Sequence, residues 1–79
     1  MSKLSAEELS AVLGQTGIEV GEQYRHVKSG GEYVVLCASF DVATQRPVIV
    51  YAPQDPKLLG YSVTFTRDAE DFRRKFVRI

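Results

Sequence analysis

Tyr24, Arg25, His26, Val27 and Lys28 place a phenol, a guanidinium, an imidazole and an ammonium in one short run. Together these groups suit a phosphate-bearing ligand. A guanidinium matches phosphate oxygens with a planar fork, an imidazole donates near neutral pH, and a phenol ring offers a stacking face. If the run is a strand, alternation puts Tyr24, His26 and Lys28 on one face and Arg25 with Val27 on the other. All of them reach one ligand only if a bulge intervenes. The same residues also read as an ordinary sheet face, with Tyr24 partly buried, His26 bonded to a neighbouring carbonyl and Lys28 in water.

Further along, Arg67 is either a carboxylate or phosphate fork or the partner of Asp68, Glu70 or Asp71 nearby. Arg73, Arg74, Lys75 and Arg78 are either a basic patch or a solvated helix end and strand edge. Tyr33, Tyr51, Tyr61 and Phe65 read as core, although an exposed one beside an arginine makes a base-stacking platform. The candidate ligand-binding set is therefore Tyr24, Arg25, His26, Lys28, Tyr51 and Arg67.

Catalytic chemistry finds less support. His26 is the only histidine and Cys37 the only cysteine, too few for the usual four zinc ligands within one chain. The chain shows no paired nucleophile and base, no metal cage and no glycine-rich phosphate loop. We expect no enzyme, no metal and no cofactor. Cys37 lies in the most apolar segment, which predicts a buried, inert thiol. A single cysteine also excludes an internal disulfide framework.

The elements that must position these groups are short. Ser5 to Leu13 reads as a helix, with Ser5 and Glu8 as a capping box, a Leu4–Leu9 staple, and Gly14 to end it. Strands are expected at Tyr24–Lys28, Glu32–Phe40, Pro47–Ala52 and Tyr61–Thr66. In the last of these Tyr61, Val63 and Phe65 alternate with Ser62, Thr64 and Thr66, the pattern of a half-buried strand. Ser29 to Gly31 and Asp41 to Gln45 are turns, and Pro53 to Gly60 is a loop. Arg67 to Arg73 reads as a helical turn capped by Asp68, with Phe72 and Phe76 as i,i+4 partners, before a last strand at Phe76–Ile79.

This order predicts a mainly β domain with a short N-terminal helix, either a small SH3-like barrel or a strongly bent antiparallel sheet. Residues 1–20 form the helix and connector, and residues 21–79 the β-rich core of a single domain. Tyr33–Ala38 and Val48–Ala52 are nearly unbroken apolar runs, which implies strands buried on both faces. The N-terminal helix or a second copy of the chain then has to cover the outer face, and this motivates a homo-oligomer.

The Tyr24–Lys28 run, the glycine turn after it and Glu32-Tyr33-Val34-Val35-Leu36 resemble the opening of the domain of unknown function 1653 family, small bacterial and phage proteins. Val48-Ile49-Val50-Tyr51 is similar to that family's middle strand. Phe65 to Phe72 is similar to its closing segment, with Phe65 for a tryptophan and Asp68 for a proline. The Pro53–Gly60 loop departs from the family's pattern, and the N-terminal helix lies outside it. The resemblance spans roughly residues 21–76. It implies a compact β-rich fold and no assigned activity, and it raises Arg25 and Arg67 as site residues.

With 44% hydrophobic and 25% charged residues the chain has the balance of a folded domain, not a disordered one. Its formal net charge of zero argues against a dedicated nucleic-acid coat or membrane-surface protein. The charge is uneven, acidic toward the N-terminus and basic from Arg67 onward. Without a signal-peptide pattern or a long apolar run, a cytoplasmic protein with no membrane partner is expected. The leading functional expectation is a non-enzymatic module for a phosphate-bearing small ligand such as a nucleotide. The alternatives are a protein-interaction module or phage-type inhibitor of a host factor, and nucleic-acid binding through the basic C-terminal segment.

Overall fold

The computed structural model describes residues 5–54 and 63–79. The first helix, α1 (Ala6–Gly14), starts at the expected capping box. The Glu8 N–H donates to Ser5 Oγ and the Ser5 N–H to Glu8 Oε1, each at 3.1 Å. No residue of α1 is buried. The helix packs beside β2, and its Val12 lines a recess with Gln45, Pro47 and Ala69. Leu4, half of the expected staple, lies outside the described residues.

Among the described residues five strands follow: β1 (Gln23–His26), β2 (Glu32–Asp41), β3 (Arg46–Pro53), β4 (Phe65–Asp68) and β5 (Phe76–Arg78), with a second helix, α2 (Ala69–Lys75), between the last two. They form one sheet in the order β4-β3-β2-β1-β5. Every neighbouring pair is antiparallel. This is the mainly β architecture that the sequence predicts, as an open bent sheet and not a closed barrel.

The length of α2 explains the bend. Flat, the two edge strands would lie four strand spacings apart, about 19 Å. A seven-residue helix spans only about 10 Å, yet α2 joins those edges. The sheet has to curl until β4 and β5 approach. Side chains meet across the gap, with the Arg67 guanidinium of β4 5.4 Å from the centre of the Phe76 ring of β5.

The concave face holds the core. Tyr24, Val35, Ile49, Tyr51 and Phe76 from the strands meet Ala69 and Phe72 from α2, with Ile18 from the connector. Phe72 is 0% exposed. Its ring stacks on Phe76 at 4.2 Å and 6°, the expected i,i+4 pair. It also meets Tyr24 and Tyr51 edge-on at 5.0 and 5.2 Å. Asp68 caps α2 by accepting from the Glu70 N–H at 3.0 Å, and Arg46 binds the same carboxylate through Nε (2.6 Å) and Nη2 (3.2 Å).

Three expectations need correction. A register shift between Val35 and Cys37 makes a bulge at Leu36, so Cys37 pairs with Val50 on the convex face and is exposed, not buried. Within one chain α1 does not close the outer face of the apolar runs, since Leu36 remains 40% exposed. The fourth strand begins at Phe65, later than Tyr61. Its ladder with β3 ends at the Tyr51–Phe65 pair, short of Pro53, which has no N–H to donate. Val63 and Thr64 lie outside the strand. Tyr61 and Ser62 are outside the described residues.

Candidate functional site

The sharp β1–β2 hairpin and the end of α2 bring the site together. The His26 N–H donates to the Gly31 carbonyl at 2.8 Å, and the Gly30 N–H returns to the His26 carbonyl at 2.7 Å. Gly30 has φ +78°, a conformation natural to glycine. The strand therefore ends at His26, and Val27 and Lys28 belong to the turn. The Val27 N–H donates to the Lys75 carbonyl at 2.9 Å, which fastens the turn to the C-terminal end of α2. Between them lies a recess of about 450 Å³ lined by His26, Val27, Lys28, Arg67, Arg74 and Lys75.

Arg67 forms its inner wall. The residue pairs with Ile49 in the ladder, so its side chain enters the concave face. Nε donates to Tyr51 Oη at 3.2 Å and Nη1 to Asp71 Oδ2 at 2.8 Å, while the guanidinium lies over the Phe76 ring. The hydrogen bond with Tyr51, then that with Asp71, holds this guanidinium still more firmly in its charged form. Asp71 also lies 3.2 Å from Lys75 Nζ and 3.9 Å from Arg74 Nη2. The Arg67 hydrogen bond, aided by Lys75, keeps its carboxyl below the ordinary range. Arg67, Arg74 and Lys75 thus gather around one carboxylate, with Lys28 as a fourth cation lining the recess, an excess of three positive charges in a chain of zero net charge.

His26 lies tilted against Phe76, with ring centres 4.9 Å apart. Its Nδ1 accepts from the Ser29 N–H at 3.3 Å and sits 2.8 Å from Ser29 Oγ. An accepting Nδ1 assigns the proton of the neutral ring to Nε2. The imidazole is thereby fixed by the turn, with its other nitrogen as a donor.

Of the six residues expected to bind a ligand, the recess collects His26, Lys28 and Arg67 directly, and Tyr51 supports Arg67 from below. Two belong elsewhere. Tyr24 is buried, packs on Phe72 and donates to Glu22 Oε1 at 3.0 Å. Burial, then this hydrogen bond, pushes its phenol pKa up. Arg25 emerges on the opposite face, 4.0 Å from Glu32, as strict alternation along β1 requires. Arg74 and Lys75, read from the sequence only as part of a basic patch or a solvated helix end, complete the recess. Their spacing after Asp71, three and four residues on a helix, was the available signal.

Among the described residues no cluster of three or more His, Cys, Asp or Glu side chains is arranged to hold a metal ion. No helix among them is long and apolar enough to cross a membrane. Comparison with protein-family models, with curated proteins and with solved structures found no match.

Proposed function

We propose that the chain is a non-enzymatic binding module that takes a phosphate-bearing small ligand, such as a nucleotide, in the recess between the β1–β2 turn and α2. The observation that carries this reading is the gathering of Lys28, Arg67, Arg74 and Lys75 beside the His26 imidazole. The recess is partly open to solvent, which suits a charged group bound at the surface of a small domain. We carry the resemblance to the domain of unknown function 1653 family as a further proposal, resting on the Tyr24–Lys28 run and the strands after it. A cytoplasmic setting belongs to the same reading.

A thermal-unfolding screen against nucleotides and short oligonucleotides, at low and high salt, tests the reading. A ligand at about 100 times its dissociation constant stabilises the fold by about 2.7 kcal/mol. Each kcal/mol moves the midpoint of a domain this size by roughly 4–8 °C. A shift with a small nucleotide that persists in high salt supports the module. A response to oligonucleotides alone, steeply weakened by salt, favours nucleic-acid binding instead.

A second reading, a protein-contact module or homo-oligomer, draws on the convex face. Val34, Cys37, Val50 and Ala52 pair there across β2 and β3, and Leu36 is exposed beside them. Sedimentation velocity of the wild type and of Leu36→Lys tests it. A concentration-dependent larger species lost in the variant supports the reading, and a monomer at all concentrations removes the homo-oligomer.

A further inference from the structure

Resting on that reading of the recess, we infer that Asp71 acts as a built-in competitor and selects a phosphate monoester, which carries two charges, over a phosphodiester, which carries one. The carboxylate already holds three of the four cations that a ligand anion in the recess would meet. It accepts from Arg67 at 2.8 Å, meets Lys75 at 3.2 Å and lies 3.9 Å from Arg74. Any anion entering the recess shares these cations with Asp71 or draws them away from it.

A singly charged ligand group offers the cations no more charge than Asp71 supplies, so the exchange gains little. A terminal phosphate carries about −1.5 to −2 charge near pH 7 and three acceptor oxygens. It satisfies several donors at once, and its additional charge is what distinguishes it from the resident carboxylate. Lys28 and His26, across the recess from α2, then contact the oxygens that Asp71 leaves open. The arrangement disfavours the internal backbone of a nucleic acid, where each phosphate is a diester.

Adenosine 5′-monophosphate and its 3′,5′-cyclic diester share a base and sugar and differ in phosphate charge. Calorimetric titration of the wild type with each measures the preference directly. Monoester binding about fivefold tighter or more is expected, the low end of the effect of one further unit charge about 4 Å from a surface cation. In Asp71→Asn the cyclic diester should bind several-fold tighter than in the wild type, and the preference should narrow. Equal affinities in the wild type, or a diester affinity that Asp71→Asn leaves unchanged or weakens, overturn the inference and leave the recess as the binding site. No binding of either nucleotide to either protein overturns the inference together with the reading beneath it. The wild-type comparison stands even if Asp71→Asn fails to fold.

Discussion

Phe72→Ala removes the side chain on which the bent sheet closes. Phe72 is 0% exposed and stands between the Phe76 ring, stacked at 4.2 Å, and the edges of Tyr24 and Tyr51. Emptying a buried phenylalanine site costs about 3–5 kcal/mol. The aromatic pairs fall partly within that figure. A domain of 79 residues has a total stability of about 4–12 kcal/mol. The substitution therefore takes about a quarter of the stability at the least, and most or all of it at the low end. At roughly 4–8 °C per kcal/mol, the thermal midpoint falls by at least about 12 °C. The helix is affected first, because seven residues do not hold a helix in water without packing. With α2 go Arg74 and Lys75, so phosphate binding is lost along with the fold. Thermal unfolding followed by circular dichroism gives the midpoint. A fall of less than about 4 °C, near 1 kcal/mol, would refute the assignment of Phe72 as the residue that joins α2 to the sheet.

Other outcomes follow from single residues. The Arg46 hydrogen bonds hold the Asp68 carboxyl at about 2, against an ordinary 3.8. A depressed carboxyl contributes stability that is full above about pH 4 and disappears as pH falls through about 2. Asp68→Asn keeps a helix-capping side chain but should lower the midpoint at neutral pH and flatten the loss between those limits; an unchanged acid profile contradicts the pairing. Gly30→Ala forces φ +78° on a residue with a Cβ and should cost about 1–2 kcal/mol by urea unfolding. No change in the urea midpoint would mean that the turn adopts another form. Cys37, outward because of the bulge, should react with a thiol reagent in the folded protein nearly as fast as in urea. Strong protection would restore it to the core.

Much of the fold is legible locally because local rules set it. Ser5 with Glu8 fixes the start of α1, Asp68 caps α2, and Phe72 finds Phe76 one helical turn on. The bulge at Leu36 is not legible, because a run of apolar residues carries no mark of where the pleat slips. That slip alone moves Cys37 from inside to outside. The start of β4 is set by a long-range limit, the proline at the far end of its partner, which outweighs the alternation beginning at Tyr61. The site divides in the same way. Alternation placed Arg25 opposite Tyr24 and His26, as found. The joining of Lys28 to Arg74 and Lys75 depends on pairing between elements distant in sequence, the β1–β5 ladder and the Val27 to Lys75 hydrogen bond that extends it.

Phosphate binding in the recess beside α2 is measured by calorimetric titration of adenosine 5′-monophosphate into the wild type, the Lys28→Ala/Arg74→Ala pair and Arg25→Ala. Lys28 and Arg74 are exposed, Arg74 to 75%, so their removal should leave the thermal midpoint nearly unchanged. Two unit charges about 4 Å from a ligand in watery surroundings correspond to a loss of at least about tenfold in affinity. The double variant should show that loss, and Arg25→Ala, whose guanidinium lies on the far face, should bind as the wild type does. Binding that survives in the double variant, or that fails with Arg25→Ala, would contradict phosphate binding in the recess.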